Sequence, residues 1–108
     1  MSNVPAISVE KLKELMNSDK PPLVIDVREQ REFDICRIPG SVLIPLGDLP
    51  NRTSELPTDR MIVAHCHHGG RSSRATAYLC QQGFECFNLT GGIHDWSLRI
   101  DPKVKTYQ

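Results

Sequence analysis

Cys66 lies within Met61-Ile62-Val63-Ala64-His65-Cys66-His67-His68-Gly69-Gly70-Arg71-Ser72-Ser73-Arg74-Ala75. A cysteine reacts as its thiolate, and inward-turned peptide N–H groups at a helix N-terminus favour that anion. The neighbouring residues are of the types that build such a place. The apolar stretch from Met61 to Ala64 reads as a buried strand. Gly69 and Gly70 let the backbone fold tightly and turn its N–H groups inward. Ser72 or Ser73 is expected to cap the following helix. The spacing therefore predicts a sulfur at the mouth of an anion-binding nest formed by His67, His68, Gly69, Gly70, Arg71 and Ser72. Arg71 offers paired hydrogen bonds to an oxyanion. The chemistry is nucleophilic catalysis through a covalent intermediate on Cys66.

Three histidines crowd this cysteine. His67 and His68 either add positive charge at the loop mouth when protonated or sit as solvated loop residues. A metal centre is not expected, because contiguous ligands rarely close a tetrahedron and the usual paired spacing is absent. Asp26, Arg28 and Arg74 are supporting candidates. Asp26 stands at a strand end and could approach the catalytic loop. Arg28 and Glu32 are spaced to pair on a helical turn, worth about 0.3 kcal/mol if exposed. Arg74 falls one turn beyond Arg71, at the pocket rim or in solvent. Cys80 is expected in the core. Cys36 and Cys86 are read the same way, with a resolving-thiol role open to either if it reaches Cys66. Trp96 is read as a packing anchor.

The elements that must position these residues are short. Ser8 is placed as an N-cap, with Ile7 and Leu12 as a hydrophobic staple. A helix then runs to about residues 17–20, where Pro21 and Pro22 break it. Strands are expected at Leu23–Val27, Val42–Ile44, Met61–Ala64 and Cys86–Leu89. Helices are expected at Glu29–Ile35, within Leu46–Leu56 (limited by Pro50), at Ser73–Gln82 ahead of Gly83, and at Ile93–Leu98. Residues 99–108 read as a fraying polar tail. Strands alternating with helices predict a parallel α/β sheet covered on both faces, with its site at the C-terminal strand ends.

The chain of 108 residues suits one domain, residues 1–108, with its core at about 5–98. A domain of this size buries roughly 65% of its unfolded surface. Thirteen basic and thirteen acidic residues cancel, and no basic stripe points to nucleic acid. Apolar runs fall far short of the ~20 residues of a membrane helix. The first residues lack a basic start followed by an apolar block, so the expectation is a cytoplasmic chain with four free thiols.

Five blocks in this order resemble the rhodanese-like family of sulfurtransferases: Leu23-Val24-Ile25-Asp26-Val27-Arg28, Glu32-Phe33, Ile38-Pro39-Gly40-Ser41, Cys66 to Ser72, and Gly91-Gly92-Ile93-His94-Asp95-Trp96. The resemblance implies a mostly parallel sheet of about five strands flanked by helices. It implies that Cys66 carries a persulfide and that Arg71 helps hold an anionic sulfur donor such as thiosulfate. It implies no metal and no organic cofactor. Where the family often has Gly-His before Ile-Pro-Gly, this chain has Cys36-Arg37. That variant resembles modules joined to enzymes that activate sulfur-carrier proteins, which implies a protein acceptor beside cyanide or small thiols.

Two rival functions remain at this point. A cysteine phosphatase or arsenate reductase also sets a thiolate in a nest of amides beside an arginine. Its loop has five residues between them, whereas four separate Cys66 from Arg71. A non-catalytic binding module of the same family is the other rival, although such members often lack the cysteine.

Overall fold

A computed structural model describes residues 4–105. Five strands form one sheet: β1 (Ala6–Ile7), β2 (Leu23–Asp26), β3 (Val42–Leu43), β4 (Ile62–His65) and β5 (Cys86–Leu89). Their spatial order is β1-β5-β4-β2-β3, and every pairing is parallel. The central strand β4 holds Val63 opposite Val24 of β2 and Phe87 of β5. It is buried on both faces, as a parallel strand between helical layers must be.

Alternation along the strands splits the core. Ile25, Ile62, Ala64, Cys66 and Cys86 pack on one side with Ala75 and Leu79 of helix α3 (Gly70–Gln81). Val24, Val63 and Leu89 pack on the other side with Val9 and Leu12 of α1 (Val9–Met16) and Ile93 and Trp96 of α4 (Gly92–Arg99). Ser8 caps α1 by accepting the Lys11 N–H, as expected. Helix α2 (Gln30–Ile35) starts one residue inside its expected span.

The differences from expectation have local causes. Pro50 and the short spacing to Arg52 leave Leu46–Asn51 and Thr53–Glu55 as two 3₁₀ turns rather than one helix. Strand β1 gives no periodic signal, being only two residues at a sheet edge, yet it pairs with β5 through Asn88 N–H to Pro5 O at 2.8 Å and Thr90 N–H to Ile7 O at 2.9 Å. The segment after α4 does not fray through residue 105. Val104 is buried in the second core cluster, and its carbonyl accepts the Ser97 hydroxyl. The remainder of the expected tail, residues 106–108, lies outside the described residues.

Beneath the C-terminal edge of the sheet sits a buried ion pair. Arg28 and Asp26 are both fully shielded from solvent. Arg28 Nη2 donates to Asp26 Oδ2 at 2.6 Å and to the Cys36 carbonyl at 2.7 Å, while Nε donates to Asp26 Oδ1 at 2.9 Å. Arg28 is buried rather than exposed on a helical turn: its fork turns inward to Asp26, while Nη1 reaches the Glu32 carbonyl at 3.4 Å and Cys36 Sγ at 3.9 Å. Asp26 is committed here and does not enter the cysteine loop. His65, across from Asp26 in the register, places Nε2 3.8 Å from Asp26 Oδ2. Burial pushes its pKa down to about 4, against the pull of Asp26.

Two stability predictions follow from this layer. Removing one partner of a buried pair strands the other charge, so Arg28→Ala should cost about 3–5 kcal/mol, read as a drop in the urea midpoint. His65 takes up a proton near pH 6.5 when unfolded but only near 4 when folded. Its share of stability is therefore complete above pH 6.5 and is lost as pH falls to about 4, on the order of 3 kcal/mol. Urea titrations from pH 7 to 4 should show that decline, and His65→Gln should flatten it.

Candidate active site

The central strand ends at His65, and the next residue is Cys66, so the cysteine sits at the middle of the sheet's C-terminal edge. From there the chain turns through His67 and His68 into α3. Gly69 makes that turn with φ +124°, a conformation that favours glycine. Helix α3 begins at Gly70, three residues earlier than expected, and no side chain of its N-cap residue closes it. The expected serine caps lie inside the helix instead.

The Cys66 sulfur takes the place of the missing cap. Sγ accepts the Gly69 N–H at 3.1 Å and the Ser72 N–H at 3.5 Å. Ser72 is the third helical position, whose N–H a capping side chain normally accepts, and Gly69 is the N-cap residue itself. The Ser72 hydroxyl also lies 3.5 Å from Sγ, but it is 2.5 Å from Asn88 Oδ1. A hydroxyl has one proton. The sulfur and Asn88 therefore compete for it, and the peptide amides complete the nest. Asn88 also donates Nδ2 to the Gly69 carbonyl at 3.3 Å, tying the loop to β5.

Burial alone would raise the Cys66 thiol pKa. Hydrogen bonds from Ser72, Gly69 and Arg71 outweigh it and bring the thiol below its ordinary value. Cys86 shows the opposite case: burial outweighs its hydrogen bonds with Thr76, Ala64 and Phe87 and pushes its pKa up to about 11. All four cysteines are free. Cys36 packs in the core on the far side of the sheet from Cys66, and Cys80 lies against the Cys86 carbonyl at 3.5 Å.

Arg71 projects from the first turn of α3 to Glu32 of α2. The two forks meet at 2.7 Å and 2.9 Å, with the Glu32 side chain only 6% exposed. Glu32 Oε1 also accepts the Glu29 N–H at 3.0 Å, which fixes it at the start of α2. Arg74 is exposed one turn further along α3.

Helix α4 closes the loop from behind. Ile93 donates its N–H to the Cys66 carbonyl at 2.9 Å, and His94 donates to the His67 carbonyl at 3.1 Å. A Cβ at Gly92 would overlap both of those carbonyl oxygens, so only glycine allows this approach. His94 thereby joins His67 and His68, its ring centroid 5.8 Å from one and 4.9 Å from the other. Burial, then the neighbouring His68 and His94, lower the His67 pKa. That weakens the expected positive charge of His67 at neutral pH.

The sequence reading missed Asn88, Glu32 and His94 as members of this site. Asn88 is a polar residue in the middle of a strand, which was the available signal.

The model of the Rhodanese-like domain matches residues 8–99. The chain belongs to the rhodanese-like domain family. It is 38% identical over 92 residues to a sulfurtransferase of Allochromatium vinosum, covering 84% of this chain and 86% of that protein. YrkF of Bacillus subtilis is 39% identical over 97 residues, covering 89% of this chain; the chain spans about half of YrkF, 52%. Adenylyltransferase and sulfurtransferase MOCS3 of Aedes aegypti is 33% identical over 112 residues, covering 94% of this chain, which corresponds to 26% of MOCS3. A crystal structure of a rhodanese-like domain protein from Staphylococcus aureus superposes with a TM-score of 0.84 at 27% identity, over 96% of this chain and 99% of that one. The expected family fold is present, with all pairings parallel rather than most. Among the described residues, no helix is long and apolar enough to cross a membrane.

Thiol chemistry in this rhodanese-like domain can be read directly. With a small alkylating reagent, the rate at Cys66 should reach half its plateau below the midpoint of free cysteine in the same buffer. Cys86 should need pH of about 11. Coincident midpoints for Cys66 and free cysteine would contradict the amide nest.

Proposed function

We propose that this domain is a sulfurtransferase that carries a sulfane sulfur as a persulfide on Cys66. The observation that carries the reading is the Cys66 sulfur seated on the Gly69 and Ser72 amides at the start of α3. The named activity of the Allochromatium vinosum relative supports it. With thiosulfate as donor, the Cys66 thiolate attacks the outer sulfur. A new S–S bond forms, the S–S bond of thiosulfate breaks, and sulfite leaves with the electron pair. The negative charge stays on the persulfide, where the loop amides from His67 to Ser72 continue to stabilise it. An acceptor then attacks the outer sulfur. Cyanide leaves as thiocyanate, a thiol leaves as a persulfide, and Cys66 returns to its thiolate.

Arg71 is the proposed contact for the anionic donor, yet its fork faces Glu32. A donor with two negative charges must share or displace that carboxylate. A less charged donor need not. A protein acceptor is supported by MOCS3, whose name pairs adenylyltransferase and sulfurtransferase activities. Exposed Arg37, its guanidinium 4.4 Å from the Phe33 ring, is a candidate contact for an acidic carrier segment. Contacts of that kind weaken with salt, so transfer to such a carrier should slow as ionic strength rises.

Intact-protein mass spectrometry after thiosulfate treatment tests the reaction. One added sulfur is expected, removed by cyanide and absent in Cys66→Ala. Sulfur retained on Cys66→Ala, or none on the wild type with any sulfane donor, would overturn the assignment. Glu32→Gln keeps the shape and removes the competing charge, so it should raise kcat/KM for thiosulfate severalfold. Arg71→Ala should lower it by tenfold or more.

A further inference from the structure

A metal centre is not expected from the sequence, because contiguous histidines rarely close a tetrahedron and the usual paired spacing is absent. The fold supplies what the spacing lacked. His94 arrives from the first turn of α4, and the three imidazoles place one ligand atom each within 4.8 Å of one another. Loop wander does not account for this meeting. The His94 N–H is bonded to the His67 carbonyl at 3.1 Å, the preceding Ile93 N–H to the Cys66 carbonyl at 2.9 Å, and Gly92 permits the close backbone approach. The backbone that carries the third ring is fixed to the backbone that carries the first.

We propose that His67, His68 and His94 form a binding site for a borderline divalent transition cation, with zinc as its representative. Tetrahedral zinc with Zn–N bonds of about 2.0–2.1 Å sets its nitrogens about 3.3 Å apart. Side-chain rotation of the three rings closes the remaining gap, with the backbone held in place. The donor set is nitrogen throughout, which suits zinc, copper, nickel or cobalt and not calcium or magnesium. His68 is exposed, while His67 and His94 are half-buried, so an ion can enter from one side and keep water in a fourth position. His94 Nδ1 is shielded from solvent and has no hydrogen-bond partner. A ring in that state is not committed at that atom to a structural contact. The cluster does not include the Cys66 sulfur, which accepts the Gly69 and Ser72 amides. The inference does not depend on the sulfur-transfer reading.

Zinc binding to untagged full-length protein, followed by equilibrium dialysis and titration calorimetry, provides the test. One zinc per chain is expected in both the wild type and Cys66→Ser, released by a chelator. His68→Ala and His94→Gln should each weaken binding tenfold or more. His68 is at the surface and its variant should keep the wild-type melting temperature, so the result stands even if His94→Gln is unstable. In Cys66→Ser, cobalt should give visible bands without a sulfur charge-transfer feature. Loss of zinc in Cys66→Ser would place the ion on the thiolate and overturn the proposal. Wild-type affinity in His68→Ala would overturn it as well.

Discussion

A helix that begins without a side-chain cap leaves amide protons in need of an acceptor, and here the acceptor is the Cys66 sulfur. This contact joins structure and reactivity in one bond. The same N–H groups that need a partner to start α3 also lower the pKa of a buried thiol. Everything around it serves to keep sulfur and amides in register. The central strand β4 sets where the chain leaves the sheet, Gly69 sets the turn, and Asn88 ties the turn to β5. The backbone of α4 then holds the loop from the opposite side.

Two ion pairs near this loop do different work. Asp26–Arg28 is shut away from water and braces the ends of β2 and α2 through the Cys36 carbonyl. Such a pair contributes less net stability than its geometry suggests, because both ions lose their hydration. Its value lies in fixing where the chain goes after β2. Glu32–Arg71 is partly open to solvent and connects α2 to the first turn of α3. It sets the direction of the one loop arginine and puts a carboxylate where an anionic ligand would otherwise meet that arginine. Reading Arg28 and Glu32 as an exposed helical pair failed because spacing along a helix says nothing about a strand-end aspartate two residues back.

Much of the architecture was legible in the sequence. Apolar runs bounded by Pro and Gly marked four of the five strands, and Cys86–Leu89 matched residue for residue. Ser8 marked the first helix through its hydroxyl. The start of α3 was misplaced because serine is an ordinary cap, and nothing local announces that a cysteine will do that job. Strand β1 was invisible because two residues at an edge carry no period. For the site, Cys66 and the glycines were visible through local chemistry. Glu32, Asn88 and His94 come from α2, β5 and α4, and only tertiary packing brings them to the loop.

Cys66 is only 2% exposed. Under the proposed sulfur transfer, a bound sulfur would set the terminal atom about 2.05 Å beyond Sγ, the length of an S–S bond. Loading would then change reach as well as oxidation level: a partner too broad to touch the shielded sulfur of the empty form would still meet the outer atom of the loaded one.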